Sequence, residues 1–461
     1  VQTCALPIWF MDTKVSRYEQ LFKETSVWHA IISLAVPSLL TIIIMIFYNL
    51  ADMFFIAQLG DTAKVASVSI ISPVFSIIMA LATMIGVGGS AVIANAFGAG
   101  DTEKARNSSS LCFYSAVVLG IVVTIALFAL QTPLLQMLGT KPEMWTDSRT
   151  YLRVLSVGTV FMLISSAMGM LLRAEGAVKD GMIGNLAGTV INIVLDPLFI
   201  LAFGWGVAGA AAATVIGNIV SCCYYLLYVK RRAAVISLNP KRALVAPREL
   251  FPIMALGVPN AASTVLSGFA STFSNNLLSQ HGTDAIAAAA AAGKANMLIS
   301  LVQMGICIGV QPLMAYNYGS KNLPRIKEVL QKTALLTGCI GIVTMVLCFI
   351  FRRFIISLFL KDSAVAAMGV QYMIYVMAGA PFLGLVYLCT NYLQATKKAS
   401  HAILVSLMRQ GLLLIPLLYL LHVLFGFIGL AAAHTASDIV SALIAAVIFW
   451  REYKKDQREL V

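Results

Sequence analysis

Charge is what this chain has least of. Only 11% of its 461 residues are Asp, Glu, Lys or Arg, and 59% are apolar, against roughly 25% and 45–50% in soluble globular domains. That shortage excludes a water-soluble fold. Other absences narrow the chemistry. No Gly-x-x-x-x-Gly-Lys-Ser/Thr phosphate loop occurs: Gly293-Lys294 sits in an Ala-rich apolar segment with neither the upstream Gly nor the following hydroxyl. Nucleotide hydrolysis by that route is excluded. The cysteines lack metal-like spacing, and Cys112, Cys222, Cys223, Cys307, Cys339, Cys348 and Cys389 all fall in apolar segments as small hydrophobic fillers. The five histidines (His29, His281, His401, His422 and His434) are scattered, and none pairs with a nearby acid in a metal or acid–base motif. That argues against an integral membrane enzyme. No repeated pore loop or ring of charges argues for a channel.

Long apolar runs are present instead. Twelve are centred near residues 40, 78, 120, 162, 191, 217, 266, 302, 342, 383, 412 and 439. About 20 apolar residues suffice to cross a hydrocarbon core about 30 Å thick, so twelve transmembrane helices are expected. The formal net charge of +12 reflects orientation. With both termini cytoplasmic, inner segments hold 23 of the 32 Lys and Arg, outer segments seven, and two, Lys294 and Arg409, are buried in spans. This is the positive-inside asymmetry, so the basic balance calls for a lipid bilayer and not for nucleic acid.

The chain also says nearly the same thing twice. Ala35-Val36-Pro37 returns at Gly257-Val258-Pro259, and Ala94-Asn95-Ala96-Phe97-Gly98 at Ala315-Tyr316-Asn317-Tyr318-Gly319. Gly206-Val207-Ala208-Gly209-Ala210 returns at Gly426-Phe427-Ile428-Gly429-Leu430, the offset drifting only from 222 to 220. Each copy carries six apolar segments, and duplicated apolar bundles are common among secondary transporters. The expected organisation is a cytoplasmic arm (1–24), a first six-helix bundle (25–229), a basic connector (230–249), a second bundle (250–450) and a charged cytoplasmic tail (451–461). The opening Val1 to Phe10, with Cys4, looks foreign to such a bundle, and Met11 reads as the natural start.

Ionisable residues within spans cost about 2.5–3.5 kcal/mol each on insertion scales, so each needs an account. Five qualify: Asp52, Asp196, Lys294, Arg409 and Asp438. Asn192 precedes Asp196 by four residues and shares its helix face. Pro197 removes the N–H that would bond the Ile193 carbonyl and is expected to kink the helix. A carboxylate, an amide oxygen and a freed carbonyl suit a Na⁺ ion or a shared proton. The plain alternative is an Asp capping a helix end. Asp52 follows Phe47-Tyr48-Asn49-Leu50-Ala51 and is flanked by apolar residues, although Gly60-Asp61 lies only two turns on, leaving a solvated outer-end acid as the alternative. Thr214 stands behind a stripe of Gly206, Gly209, Ala210 and Ala213 that lets helices approach closely and brings its hydroxyl towards a site on a neighbouring helix, the alternative being a structural hydroxyl bonded to its own helix. In the second half Asn275 and Asn276 lie on the first span, and Lys294, Arg409 and Asp438 are read as a gating or structural charge network, with substrate contact as the other reading.

Tyr48-Asn49-Leu50-Ala51-Asp52, Gly98-Ala99-Gly100-Asp101, Arg173-Ala174-Glu175-Gly176, Asn192 to Pro197, Gln311-Pro312 and Tyr316-Asn317-Tyr318-Gly319 together resemble the multidrug and toxic compound extrusion (MATE) family, within it the DinF/MepA-like bacterial branch. The likeness extends from about Thr25 to Trp450. It implies an all-α, V-shaped pair of six-helix bundles related by the internal repeat. It also implies a monomer in the bacterial inner membrane, exporting cationic lipophilic compounds in exchange for H⁺ or Na⁺ by alternating access, with no other cofactor. Carried over residue by residue, the cation site is Asp52, Asn192, Asp196 and Thr214, with Tyr151 at the start of the fourth span. The acids that the NorM-like branch places in the second bundle are absent. The alternatives are a flippase for a lipid-linked precursor, which calls for a basic groove, and a major facilitator fold, whose Asp-Arg-x-Gly-Arg loop is missing.

Overall fold

In hydrocarbon every backbone N–H and C=O must find its partner within the segment, so apolar runs of this length become helices. The computed structural model describes residues 19–245 and 247–460; the arm up to Tyr18, including Cys4 and Met11, lies outside them. Among the described residues the regular structure is helical throughout. The first half comprises α1 (Val27–Ala57), a short helix Thr62–Ser69, α2 (Ser72–Gly98), α3 (Thr102–Ala129), α4 (Pro142–Ala174), α5 (Val178–Pro197) and α6 (Gly206–Arg232). The second comprises α7 (Leu250–Ser279), α8 (Thr283–Gly319), α9 (Leu323–Ser357) and α10, broken into Ser363–Met377 and Ala380–Ala395 with a 43° bend. A continuous apolar helical run, Ala399–Glu459, completes it. At 1.5 Å per residue that run is about 90 Å long, about three times a hydrocarbon core. Gly426, at φ 58° and ψ −133°, breaks it into α11 (399–425) and α12 (427–460). Twelve spans result, each on one of the apolar centres read from the sequence.

The duplication is visible in the backbone as well. Left-handed residues occur in pairs at equivalent turns: Gly60 and Gly282, Gly100 and Lys321, Gly176 and Lys397, Gly206 and Gly426. Their separations follow the same drift as the sequence repeat. After the second pair, Asp101 and Asn322 cap α3 and α9 in the same way, each accepting from the backbone N–H three residues on (Lys104, 2.8 Å; Arg325, 3.2 Å).

Two units emerge, drawn differently from the expected bundles. One holds Val36–Gly257 with the described part of Val1–Ser26; the other holds Val27–Ala35 with Val258–Val461. The connector and the start of α7 therefore belong with the first half. Within that unit α7 lies backbone to backbone on α2: a Cβ on Gly88 would fall 1.9 Å from the Ile253 carbonyl oxygen, and one on Gly257 1.8 Å from that of Met84. Residues 451–460 of the charged tail continue α12, and the buried Asp456 carboxylate pairs with Lys398 at 2.7 Å while accepting from the Tyr392 and Tyr318 hydroxyls.

One carboxylate gathers three successive N–H groups of the connector. Glu175, wholly buried after α4, accepts the backbone N–H groups of Ala234, Val235 and Ile236 on Oε2 (3.1, 3.0 and 3.3 Å) and the Tyr228 hydroxyl on Oε1 (2.7 Å). Burial raises its pKa, and these four donors oppose the rise. The Ser110 and Tyr114 hydroxyls donate to the carbonyls of Ser237 (2.9 Å) and Leu238 (3.0 Å). Glu175→Ala strands three N–H groups at about 1–3 kcal/mol each. Trypsin should then cut the connector at Lys241, Arg242 or Arg248 at least tenfold faster than in the wild type. An unchanged rate would show that the carboxylate does not hold it.

Candidate cation site

The α5–α6 interface positions the site. Gly181, Gly184 and Gly188 on α5 face Tyr225, Ser221 and Gly217 on α6. The Tyr225 hydroxyl donates to the Gly181 carbonyl (2.8 Å) and the Ser221 hydroxyl to that of Gly184 (2.9 Å). A Cβ on Gly188 would fall 2.1 Å from Ser221 Oγ and 2.4 Å from the Gly217 oxygen, so only glycine permits this approach. One turn further along the seam come Asn192 and Thr214. Beyond Pro197 the helix does not resume α geometry but makes a π turn, Leu198–Ala202, in which Phe203 N–H bonds the Leu198 carbonyl at 2.8 Å. Pro197 thus stands at a change of helix geometry. Gly209 of the α6 stripe packs on that turn, its absent Cβ standing for a 2.7 Å clash with Phe199.

Asp52, Asn192, Asp196, Thr214 and Tyr151 are all buried, Asp196 at 0% exposure. The solvated-acid alternative for Asp52, at 9% exposure, does not hold. Asn192 Nδ2 donates to Asp196 Oδ1 at 3.5 Å. Asp52 and Asp196 lie within Coulombic reach of each other, and of Tyr48 and Tyr151. Tyr48 is the residue that sequence reasoning left out of the site. Its hydroxyl meets Thr214 Oγ1 at 3.2 Å, tying α1 to α6. The signal was available, since Tyr48 precedes Asp52 by one helical turn.

Three oxygens carry the chemistry. Asp52 Oδ1, Asn192 Oδ1 and Asp196 Oδ2 are all buried without a hydrogen-bond partner. Partnerless buried atoms occur elsewhere in the chain too; what distinguishes these is that two of them belong to buried carboxylates, which need a proton or a counter-charge. Hard oxygen donors of this kind suit a proton or a hard cation such as Na⁺.

The second half is built otherwise. At the positions repeating Asp52 and Tyr151 stand Ser274 and Tyr372, both buried. Aligning Pro416 with Pro197 puts Ile415 where Asp196 stands. Asn275 and Asn276 are exposed on α7. Arg409 Nε donates to Asp438 Oδ1 at 2.9 Å, and its Nη1 to the Tyr387 hydroxyl at 3.1 Å, with the guanidinium 5.0 Å from that ring centre. Arg409 lies in a second π turn, Met408–Leu412, and Asp438 packs against Gly379 at the break in α10. Lys294 departs from the reading. It is exposed and forms no salt bridge among the described residues, so the network is a pair and not a triad. The reason is local: it stands on a segment of α8 where Gly293, Met297 and Leu298 are also exposed, away from the buried Ala288, Ala291 and Ala292.

The MatE family profile matches the chain twice, over residues 37–198 and 259–420, one copy per half. The multidrug export protein MepA of Staphylococcus aureus (strain MRSA252) is 30% identical over 434 residues, covering 94% of this chain and 96% of that protein. MepA of Staphylococcus saprophyticus is 29% identical over the same coverage. Among solved structures, a MATE protein in the bent conformation superposes with a TM-score of 0.91 at 22% identity, covering 96% of this chain and 99% of that one. An outward-facing multidrug resistance MATE family transporter gives 0.87 at 24% identity, covering 95% and 98%. By the double profile match and near-full-length similarity, the chain belongs to the MatE family.

Proposed function

We propose that this protein exports lipophilic cationic compounds across the bacterial cytoplasmic membrane, as a monomer with both termini inside, in exchange for entering H⁺ or Na⁺. The observation that carries the proposal is the set of three partnerless buried oxygens on Asp52, Asn192 and Asp196. Thr214, Tyr48 and Tyr151 complete its surroundings. An ion arriving there neutralises the two acids and alters the balance around the Pro197 π turn. The first half then favours a conformation with weaker affinity for the drug. A ligand can shift such an equilibrium only by its differential affinity for the two states, so ion and drug must oppose each other. The relatives named as multidrug export proteins support the cargo class. A lipid-diphosphate flippase is disfavoured, because Arg409 is already committed to Asp438.

Efflux of a fluorescent lipophilic cation from pump-deficient bacteria tests this. Export should stop when one gradient, of H⁺ or of Na⁺, is collapsed, and that gradient names the ion. Export indifferent to both gradients would refute the exchange.

A further inference from the structure

Outside that site, two imidazoles from segments 141 residues apart face each other. His281 lies in the turn after α7, and His422 on the last turns of α11 before the Gly426 break. His281 Nε2 and His422 Nδ1 are 3.3 Å apart, with the rings at 85°. The other nitrogen of His422, Nε2, lies 3.2 Å from Gln280 Oε1. An amide oxygen only accepts, so Nε2 carries the proton and Nδ1 presents its lone pair towards His281.

We propose that His281 and His422 form a transition-metal site, taking Zn²⁺ or a cation of similar softness between the end of α7 and the end of α11. Two Zn–N bonds of about 2.0–2.1 Å at the tetrahedral angle span about 3.3 Å between nitrogens, which is the separation found. Gln280 supplies the outer hydrogen bond that metal-bound histidines usually make, fixing ring and tautomer. Without metal, His281 Nε2–H donates to His422 Nδ1. On binding, that proton moves to Nδ1 of His281 by exchange with water, since His281 is exposed, and both lone pairs then meet the ion. No group of three or more His, Cys, Asp or Glu surrounds the pair among the described residues, so water fills the remaining positions. The site abuts the α11–α12 break: a Cβ on Gly426 would lie 3.5 Å from His281 Cε1. A bound ion would brace that break. The proposal does not rest on the exporter reading.

The test is zinc titration of the purified full-length protein in detergent, without a polyhistidine tag, by competition with a chromogenic chelator. The wild type should bind one Zn²⁺ that His281→Ala and His422→Gln each bind at least tenfold more weakly, and Zn²⁺ should raise the melting temperature of the wild type alone. Cu²⁺ in its place should give an electron paramagnetic resonance spectrum split by two nitrogens, lost in either variant. Wild type and variants binding zinc equally, or no zinc-dependent stabilisation of the wild type, would overturn the site. Both side chains lie near the surface, so failure to fold is not expected to obscure the comparison.

Discussion

Asp196→Asn should reduce gradient-driven export at least tenfold while leaving the protein as stable as the wild type, or more so. The amide keeps the size of the carboxylate and one acceptor oxygen but can neither hold a proton at neutral pH nor offer a negative charge to Na⁺. Asn192, which donates to Asp196 Oδ1, can still find an oxygen there. Folding should gain, because the substitution relieves two buried like charges within reach of each other. Loss of function with a raised or unchanged melting temperature separates a working carboxylate from a structural one. A variant that both unfolds and stops exporting would make Asp196 the helix-end cap considered at the start. Full export would remove it from the coupling site.

The second large effect is on stability and lies in the other half. Arg409→Met leaves Asp438, 6% exposed, without its partner. Breaking a buried pair from one side costs about 3–5 kcal/mol, whereas replacing both members by apolar residues is often neutral. The single variant should therefore melt well below the wild type. Arg409→Met combined with Asp438→Leu should recover most of the loss. The same comparison reads the role of the pair: if the double variant is stable and still exports, the pair is structural; if stable but inactive, it gates. Equal destabilisation in single and double variants would contradict the pairing as the source of the cost.

Much of this architecture was legible in the sequence, because a bilayer leaves few options. Span number followed from apolar run length, and the repeat from Gly, Pro and Asn recurring at a nearly constant offset, which the paired left-handed turns reproduce. Asp52 and Asp196 stand out in the sequence because intramembrane acids are costly and few, Asn192 because it lies one turn before Asp196, and Thr214 because of the small-residue stripe on its helix; the structure buries all four. What escaped depended on partners distant in sequence. Glu175 looked like part of a motif, yet its function is to hold backbone N–H groups some sixty residues on, and backbone donors leave no mark in a sequence. The glycines of α5 were passed over because their meaning lies in Ser221 and Tyr225 opposite. Lys294 was placed in a charge network on span membership alone, and helix phase put it on an exposed face. Nor does composition show that Lys398 neutralises Asp456, with Tyr392 donating to it, where α12 runs on into the charged tail.

The most direct test of the central claim uses the purified protein in sealed liposomes. An inward or outward gradient of H⁺ or Na⁺ is imposed with no other energy source, and movement of a fluorescent lipophilic cation is followed. The proposed ion site predicts that the cation moves against its own gradient, opposite to one of the two ions, in wild-type vesicles and not in Asp52→Asn or Asp196→Asn vesicles. Cation movement that ignores both gradients, or that persists undiminished in both variants, would contradict it.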